Sequence, residues 1–128
     1  MFCYSYGADD RNPCRARVRQ DCDKFVDLRS LNHDSAERCI YDDQVDILVD
    51  LKGYTEGSIL KIYAFRPAPI QVRYLGLPGT TGANLFDYII TDRIVTPKDH
   101  APHYIEHFAY LPHCYQVNDH TQTISKKD

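Results

Sequence analysis

Nowhere in these 128 residues does an apolar run approach the roughly 20 residues that a membrane-crossing helix needs. The N-terminus has no basic segment followed by an apolar one, the pattern of a secretory leader. Positive charge is not in surplus: 15 Lys and Arg against 18 Asp and Glu give a formal charge of -3. That balance supplies no electrostatic case for nucleic acid or for an anionic membrane surface. No two cysteines form a CxxC pair. The five, Cys3, Cys14, Cys22, Cys39 and Cys114, are odd in number and come without a leader, so reduced, mostly buried thiols are expected rather than a disulfide framework. Internal repeats are missing, and only Thr121 to Asp128 reads as a polar tail. Together these absences predict a soluble, cytoplasmic protein with no nucleic-acid or membrane partner.

What is present is ordinary globular composition, 43% hydrophobic and 26% charged, in a chain of one domain's length. Two hydrophobic periods alternate along it. Phe2 to Tyr6 reads as a strand. Asn12-Pro13 reads as an N-cap followed by the first helical position, with Cys14, Val18, Cys22 and Phe25 at helical spacing and Arg15, Arg17 and Arg19 on a solvated face. Phe25 to Leu28 is a short strand. Asp34 to Gln44 is a second helix, with Asp34 and Glu37 placed as a capping box and Ala36, Cys39 and Ile40 facing inward. Val45 to Leu51 is the clearest strand, and its Ile47-Leu48-Val49 run suits a parallel sheet covered on both faces. Gly53 to Gly57 turns into a helix carrying Ile59, Leu60, Ile62 and Tyr63, which Pro67 ends by Arg66.

Ile70, Val72 and Tyr74 then alternate with Gln71 and Arg73, Ala83 to Asp87 has the character of a short helix, and Tyr88 to Thr91 and Phe108 to Leu111 read as further strands. Strands separated by helices imply right-handed βαβ units. The predicted fold class is therefore α/β, a Rossmann-like, mostly parallel sheet of about five strands with flanking helices. Its expected core is Val26, Leu28, Ile40, Ile47, Leu48, Val49, Ile62, Ile70, Val72, Ile89 and Ile90.

Open parallel sheets bind ligands beyond the carboxyl ends of their strands, so the loops leaving the strands carry the functional question. Two stand out: Asp50-Leu51-Lys52-Gly53-Tyr54-Thr55, and Leu75-Gly76-Leu77-Pro78-Gly79-Thr80-Thr81-Gly82, with glycines every third residue. Glycine lets a ligand approach the backbone, and the hydroxyls of Thr55, Thr80 and Thr81 can donate or accept. The spacing fits neither the dinucleotide fingerprint nor the P-loop, since no Lys follows the last glycine. A tight turn without a ligand explains it as well.

Three segments, DILVDLKGYTEG, then FRPAPIQVRYLGLPGTTGANLFDYIITD, then YLPHCYQVND, resemble in order and spacing the catalytic region of the protein O-GlcNAc transferases, glycosyltransferase family 41, from Phe2 to about His120. The resemblance implies a GT-B enzyme, two Rossmann-like lobes around a cleft. Such an enzyme moves N-acetylglucosamine from UDP-GlcNAc to serine or threonine hydroxyls of proteins, inverting the anomeric centre without a metal or other cofactor. Residues 1–120 would be part of the N-terminal lobe and 121–128 a tail. By the same resemblance, Tyr54, Thr55, Leu75 and Gly76 line the sugar and acceptor side of the cleft, and Pro78, Gly79 and Thr80 shape its wall; none is a catalytic base.

The resemblance places the family's histidine-bearing motif, its C-terminal lobe and the N-terminal tetratricopeptide repeats outside these residues, so they predict a fragment inactive alone. Ile59 stands where the family often has a basic residue, which weakens any acceptor contact there. The donor, N-acetylglucosamine or fucose, stays open. Two rival readings are a non-catalytic protein-interaction module and a metal-binding protein using His100, His103, His107, His113, Cys114 and His120. Pro102 opposes the second by belonging at a helix start, which would leave His100 outside.

Overall fold

The computed structural model describes residues 1–9 and 11–118; the expected polar tail and His120 lie outside them. Its order is β1 (Phe2–Ser5), α1 (Pro13–Asp21), β2 (Lys24–Asp27), α2 (His33–Asp42), β3 (Ile47–Asp50), α3 (Lys61–Ala64), β4 (Ile70–Arg73), β5 (Tyr88–Thr91), a 3-10 helix (Lys98–His103) and β6 (His107–Tyr110). Every described strand pair is parallel. The α/β class is the expected one, but the described residues form six strands in two sheets, β1-β2 and β3-β4-β5-β6.

Local chemistry sets the helix ends. Asn12 caps α1 by accepting from the Cys14 N–H at 2.8 Å, and Pro13 follows in the first turn, where a missing N–H costs nothing. The capping box expected at Asp34 and Glu37 is replaced by Asn32, whose side chain accepts from the Ser35 N–H at 2.8 Å. The helix therefore begins a residue before Asp34, which instead supplies negative charge to its first turn. Asn32→Ala should lower the unfolding free energy by about 1 kcal/mol in a urea titration. No measurable loss would show that this cap does not set the helix start.

Several elements are shorter than their sequence patterns. The helix expected after Gly57 is one turn, and the stretch from Ala83 to Asp87 makes turns rather than a helix. There, the Asp87 carboxylate accepts from the Gln71 N–H (2.8 Å) and from Arg66, while Gln71 Nε2 donates to the Tyr63 carbonyl (2.9 Å) and the Leu85 carbonyl. The arginine and glutamine of the RPAPIQ segment are thus scaffold, fastening the start of β4 to its neighbours.

The core consists of Leu28, Ala36, Ile40, Leu48, Ile62, Tyr63, Ala68 and Phe86, with the Tyr63 and Phe86 rings 4.7 Å apart. Of the expected core, Val72 and Ile89 are also buried, and Val26 and Ile90 are half-buried. Ile47 and Val49 are exposed at 55% and 39%, because only one face of β3 is covered, and Ile70, the first residue of β4, is exposed at 39%. The cysteines are unpaired as expected but not buried: Cys14 and Cys114 are exposed, and Cys3, Cys22 and Cys39 are half-buried. Nor is the arginine face of α1 all solvated. Arg15 donates to the Ser5 hydroxyl and the Asp27 carboxylate, and the guanidinium groups of Arg15 and Arg19 both lie over the Phe25 ring, at 5.1 and 5.0 Å.

Candidate functional site

The carboxyl ends of β3, β4 and β5 open into three turns, two of them held by a buried aspartate. Asp50, at the end of β3, accepts from the N–H groups of Lys52 (3.2 Å) and Gly53 (2.7 Å). Asp92, just past β5, accepts from Ile94, Val95 and Tyr115 at 2.8–2.9 Å. Backbone donors from Val95, Tyr115 and Ile94 hold the Asp92 carboxyl below the usual range against the opposing effect of burial. An aspartate closing a turn onto N–H groups two or three residues ahead is cheap local chemistry, and it fixes where each loop departs.

Between these turns runs the glycine loop. Tyr74 donates its N–H to the Asp50 carbonyl, and the chain then passes through two left-handed residues, Leu75 (φ 63°) and Gly76 (φ 62°). A Cβ at Gly76 would sit 2.6 Å from the Lys52 carbonyl oxygen, so the two loops touch where only glycine fits. Gly53 makes a second such approach: its Cβ would meet the Arg73 guanidinium at 2.8 Å. Arg73, 1% exposed, reaches beneath the loop and donates to the Leu77 and Gly79 carbonyls. Tyr104 donates its hydroxyl to the Pro78 carbonyl at 2.8 Å.

Glu106, 4% exposed, anchors the far end of the loop. Its carboxylate accepts from the Thr80 hydroxyl (2.7 Å), the Thr81 N–H (2.8 Å) and the Thr81 hydroxyl. Burial opposes its ionisation, and the donors from Thr81 and Thr80 more than offset that, leaving its pKa below the ordinary glutamate value. A depressed carboxylate contributes stability that is complete above its unfolded pKa and is lost as pH falls through the folded one. The stability of the chain should therefore decline below about pH 4.5, and Glu106→Gln should flatten that part of the profile in urea titrations across pH. An unchanged acid limb in the glutamine variant would refute this role.

All seven residues singled out in the sequence lie along this rim. Tyr54 is 55% exposed with its hydroxyl donating to the Thr81 carbonyl at 2.6 Å; Thr55 and Gly76 are exposed; Leu75, Pro78, Gly79 and Thr80 are half-buried. Thr55 and Gly76 meet through one atom, since the Thr55 hydroxyl donates to the Lys52 carbonyl at 2.9 Å. The threonine hydroxyls are less available than expected: Thr80 and Thr81 donate theirs to Glu106, and the Thr80 oxygen also accepts from the Gly82 and Ile105 N–H groups at 3.2 and 3.3 Å. Gly79 is not sterically required, as a Cβ there meets nothing within 4 Å. Sequence reasoning missed Asp50, Arg73 and Glu106. Asp50 was findable, because an aspartate two or three residues before a glycine turn is a turn former; Glu106 carries no local signal.

His100 and His103 share the 3-10 helix, with Pro102 inside it rather than at its start, and His107 opens β6 with its ring 5.8 Å from Tyr88. Pro102 is tolerated there because the carbonyl-to-N–H bonds run to His100 and Tyr104 and ask nothing of its nitrogen. Among the described residues no three His, Cys, Asp or Glu side chains could hold a metal ion, and no helix is long and apolar enough to cross a membrane.

A parallel α/β half-sheet whose strand-end loops are packed into one rigid rim is the architecture of a Rossmann-like lobe. The model of glycosyl transferase family 41 matches residues 1–127, and the chain belongs to that family. It is 43% identical over 95% of its length to a probable UDP-N-acetylglucosamine–peptide N-acetylglucosaminyltransferase of Arabidopsis thaliana, of which it spans 12%. It is 40% identical over 97% of its length to the UDP-N-acetylglucosamine–peptide N-acetylglucosaminyltransferase of Caenorhabditis elegans, spanning 11% of that protein. Among solved structures it superposes on a variant of the Thermobaculum terrenum O-GlcNAc transferase with a TM-score of 0.84 and 31% identity, over 89% of this chain and 22% of that one. The chain thus spans about a tenth of the length of the curated relatives it matches.

Proposed function

We propose that these residues form part of the cleft wall of a protein O-GlcNAc transferase, which moves N-acetylglucosamine from UDP-GlcNAc to serine or threonine hydroxyls of protein acceptors. Inversion at the anomeric carbon and independence of metals or other cofactors belong to this reading. The observation that carries it is the contact of the Gly76 turn with the Lys52 carbonyl, which makes one rim of two loops and leaves Tyr54, Thr55 and Leu75 at its surface. A wall this tightly bonded suits orientation of substrates, in which small displacements are costly. Leu75 and Gly76 would support the sugar, Tyr54 and Thr55 the sugar or the acceptor chain, and Pro78, Gly79 and Thr80 the shape of the wall.

None of these groups moves a proton at neutral pH, so the base and the diphosphate site come from elsewhere in the full enzyme. Its C-terminal lobe, its N-terminal repeats and cytoplasmic protein acceptors are the partners. The test is a chimera in which this chain replaces the matched region of the Thermobaculum terrenum enzyme. It should glycosylate an acceptor protein from UDP-GlcNAc, with the rate unchanged by a chelator, whereas the isolated chain should transfer nothing. A folded chimera that binds UDP-GlcNAc but transfers no sugar would refute the reading.

A further inference from the structure

The glycine loop turns its carbonyls inward and leaves N–H groups outside. Arg73 donates to the carbonyls of Leu77 and Gly79 from beneath, Tyr104 donates its hydroxyl to that of Pro78 at 2.8 Å, and Tyr54 donates its own to that of Thr81 at 2.6 Å. Every peptide bond among the described residues is trans, so a carbonyl and the N–H of the next residue point in opposite directions. With the Pro78 and Gly79 carbonyls held inward, the N–H groups of Gly79 and Thr80 face outward. Among the described residues neither meets an acceptor. We propose that Gly79 and Thr80 form a binding site for one oxyanion, a carboxylate or a phosphate, held by their two backbone N–H groups above the buried Arg73 guanidinium.

The guanidinium is the independent sign of a ligand. Arg73 is 1% exposed, no carboxylate lies within 4 Å of it among the described residues, and its Nε has no hydrogen-bond partner. Backbone carbonyls satisfy two of its nitrogens but supply no counter-charge, and a buried charge without one is costly. An anion beyond the two peptide groups provides it. Each peptide is polarised by the donor at its oxygen, which makes its own N–H a stronger donor. Burial raises the pKa of the Tyr104 phenol and the Arg73 charge opposes that rise, so the two inward donors sit near each other under the loop. The outward N–H groups therefore leave on one side.

Access and selectivity agree with this. A Cβ at Gly79 would meet nothing within 4 Å, so a ligand can reach the backbone there. With the carbonyls of Leu77, Pro78, Gly79 and Thr81 all occupied, this part of the loop presents donors, which suits an anion and rejects a cation. The buried carboxylates of the rim are already engaged, Glu106 by Thr80 and Thr81 and Asp50 by the N–H groups of Lys52 and Gly53. The site lies beyond Leu75 and Gly76, to which the transfer reading gives the sugar. Oxyanion binding is measured without transfer, so either reading can fail alone.

Inorganic phosphate is the probe, titrated at constant ionic strength into the isotope-labelled 128-residue chain and read by amide NMR. The Gly79 and Thr80 signals should move along one saturating curve, and chloride at equal ionic strength should leave them in place. Arg73→Met removes the charge and should weaken phosphate binding by about tenfold or more, the effect of one charge several ångströms away in a protein interior. Arg73→Lys keeps the charge and should stay within about threefold of the parent. If the methionine variant does not fold, Gly79→Pro deletes one donor, leaves the guanidinium and should itself cost about tenfold. Competition then identifies the source. UDP displacing phosphate assigns the site to a nucleotide's phosphates; a glutamate-bearing peptide displacing it, where the glutamine counterpart does not, assigns it to a carboxylate of an acceptor chain. The proposal fails if the two amides do not respond, or if the methionine or proline variant binds phosphate as the parent does. Phosphate binding that neither competitor displaces is an adventitious ion only and overturns it equally.

Discussion

Gly76→Ala in the chimera should reduce sugar transfer by about 100-fold, while Gly79→Ala leaves it near the parent value. The two glycines stand three residues apart in one loop and differ in two respects, steric contact and backbone handedness. A methyl at Gly76 would lie 2.6 Å from the Lys52 carbonyl oxygen in a left-handed backbone, whereas one at Gly79 meets open space. Left-handed geometry costs an alanine about 1–2 kcal/mol, and the contact cannot be relieved by turning a side chain, because the obstructing atom is backbone. The Lys52 turn and the Leu75 turn must therefore separate by something approaching an ångström, and displacement on that scale in a positioning wall is what costs two orders of magnitude in rate.

Gly82→Ala supplies the control for strain alone, since Gly82 also has positive φ (66°) but nothing near its Cβ. It should lose stability without a comparable loss of transfer. The fall at Gly76 should appear in kcat as well as KM, with circular dichroism unchanged. Equal activities for the Gly76 and Gly79 variants would remove the rim from the catalytic picture.

The fold was legible wherever periodicity reports burial. Asn12-Pro13 marked the start of α1, and the parallel class followed from strands alternating with helices, because those signals are local. Failures fell where the outcome depends on what lies alongside. Ile47-Leu48-Val49 reads as a doubly buried strand, yet Ile47 and Val49 are exposed, since β3 is an edge within these residues. Ala83 to Asp87 is apolar enough for a helix, but the Gln71 and Arg66 bonds to Asp87 and Leu85 hold it as turns, and such long-range bonds leave no mark on local pattern.

The site was legible as a set of loops rather than as a mechanism of holding them. Glycines beside strand ends pointed to the rim, and the structure brings Thr55 and Gly76 to the same carbonyl. Which glycine is sterically required depends on a contact with residue 52, some two dozen positions earlier in the chain. Glu106 reaches Thr80 and Thr81 across 25 or 26 residues, a separation no motif encodes. Arg73 looked like the polar phase of an alternating strand and turned out to be 1% exposed. Its neighbour Gln71 is wholly buried too, because β4 is flanked by strands on both sides and covered on both faces.

Arg73→Ala should lower the unfolding free energy of the chain by about 4 kcal/mol, the largest stability loss expected of any single substitution at the rim. The guanidinium makes no ion pair within 4 Å among the described residues and leaves Nε without a hydrogen-bond partner. What it does make are two charge-assisted bonds, to the carbonyls of Leu77 and Gly79, and close packing against Gly53. Truncation removes both bonds, leaves a cavity beneath the loop and frees the Gly53 turn from its support. Arg73→Lys keeps the charge and most of the volume but replaces a planar fork with a point donor that cannot span both carbonyls with the same geometry. It should recover about half of the loss. Urea midpoints compare the two variants, and amide exchange at Leu77 and Gly79 locates the damage. If the alanine variant unfolds within about 1 kcal/mol of the parent, the guanidinium is a passenger and the loop is held by its other bonds, to Glu106, Tyr104 and Tyr54.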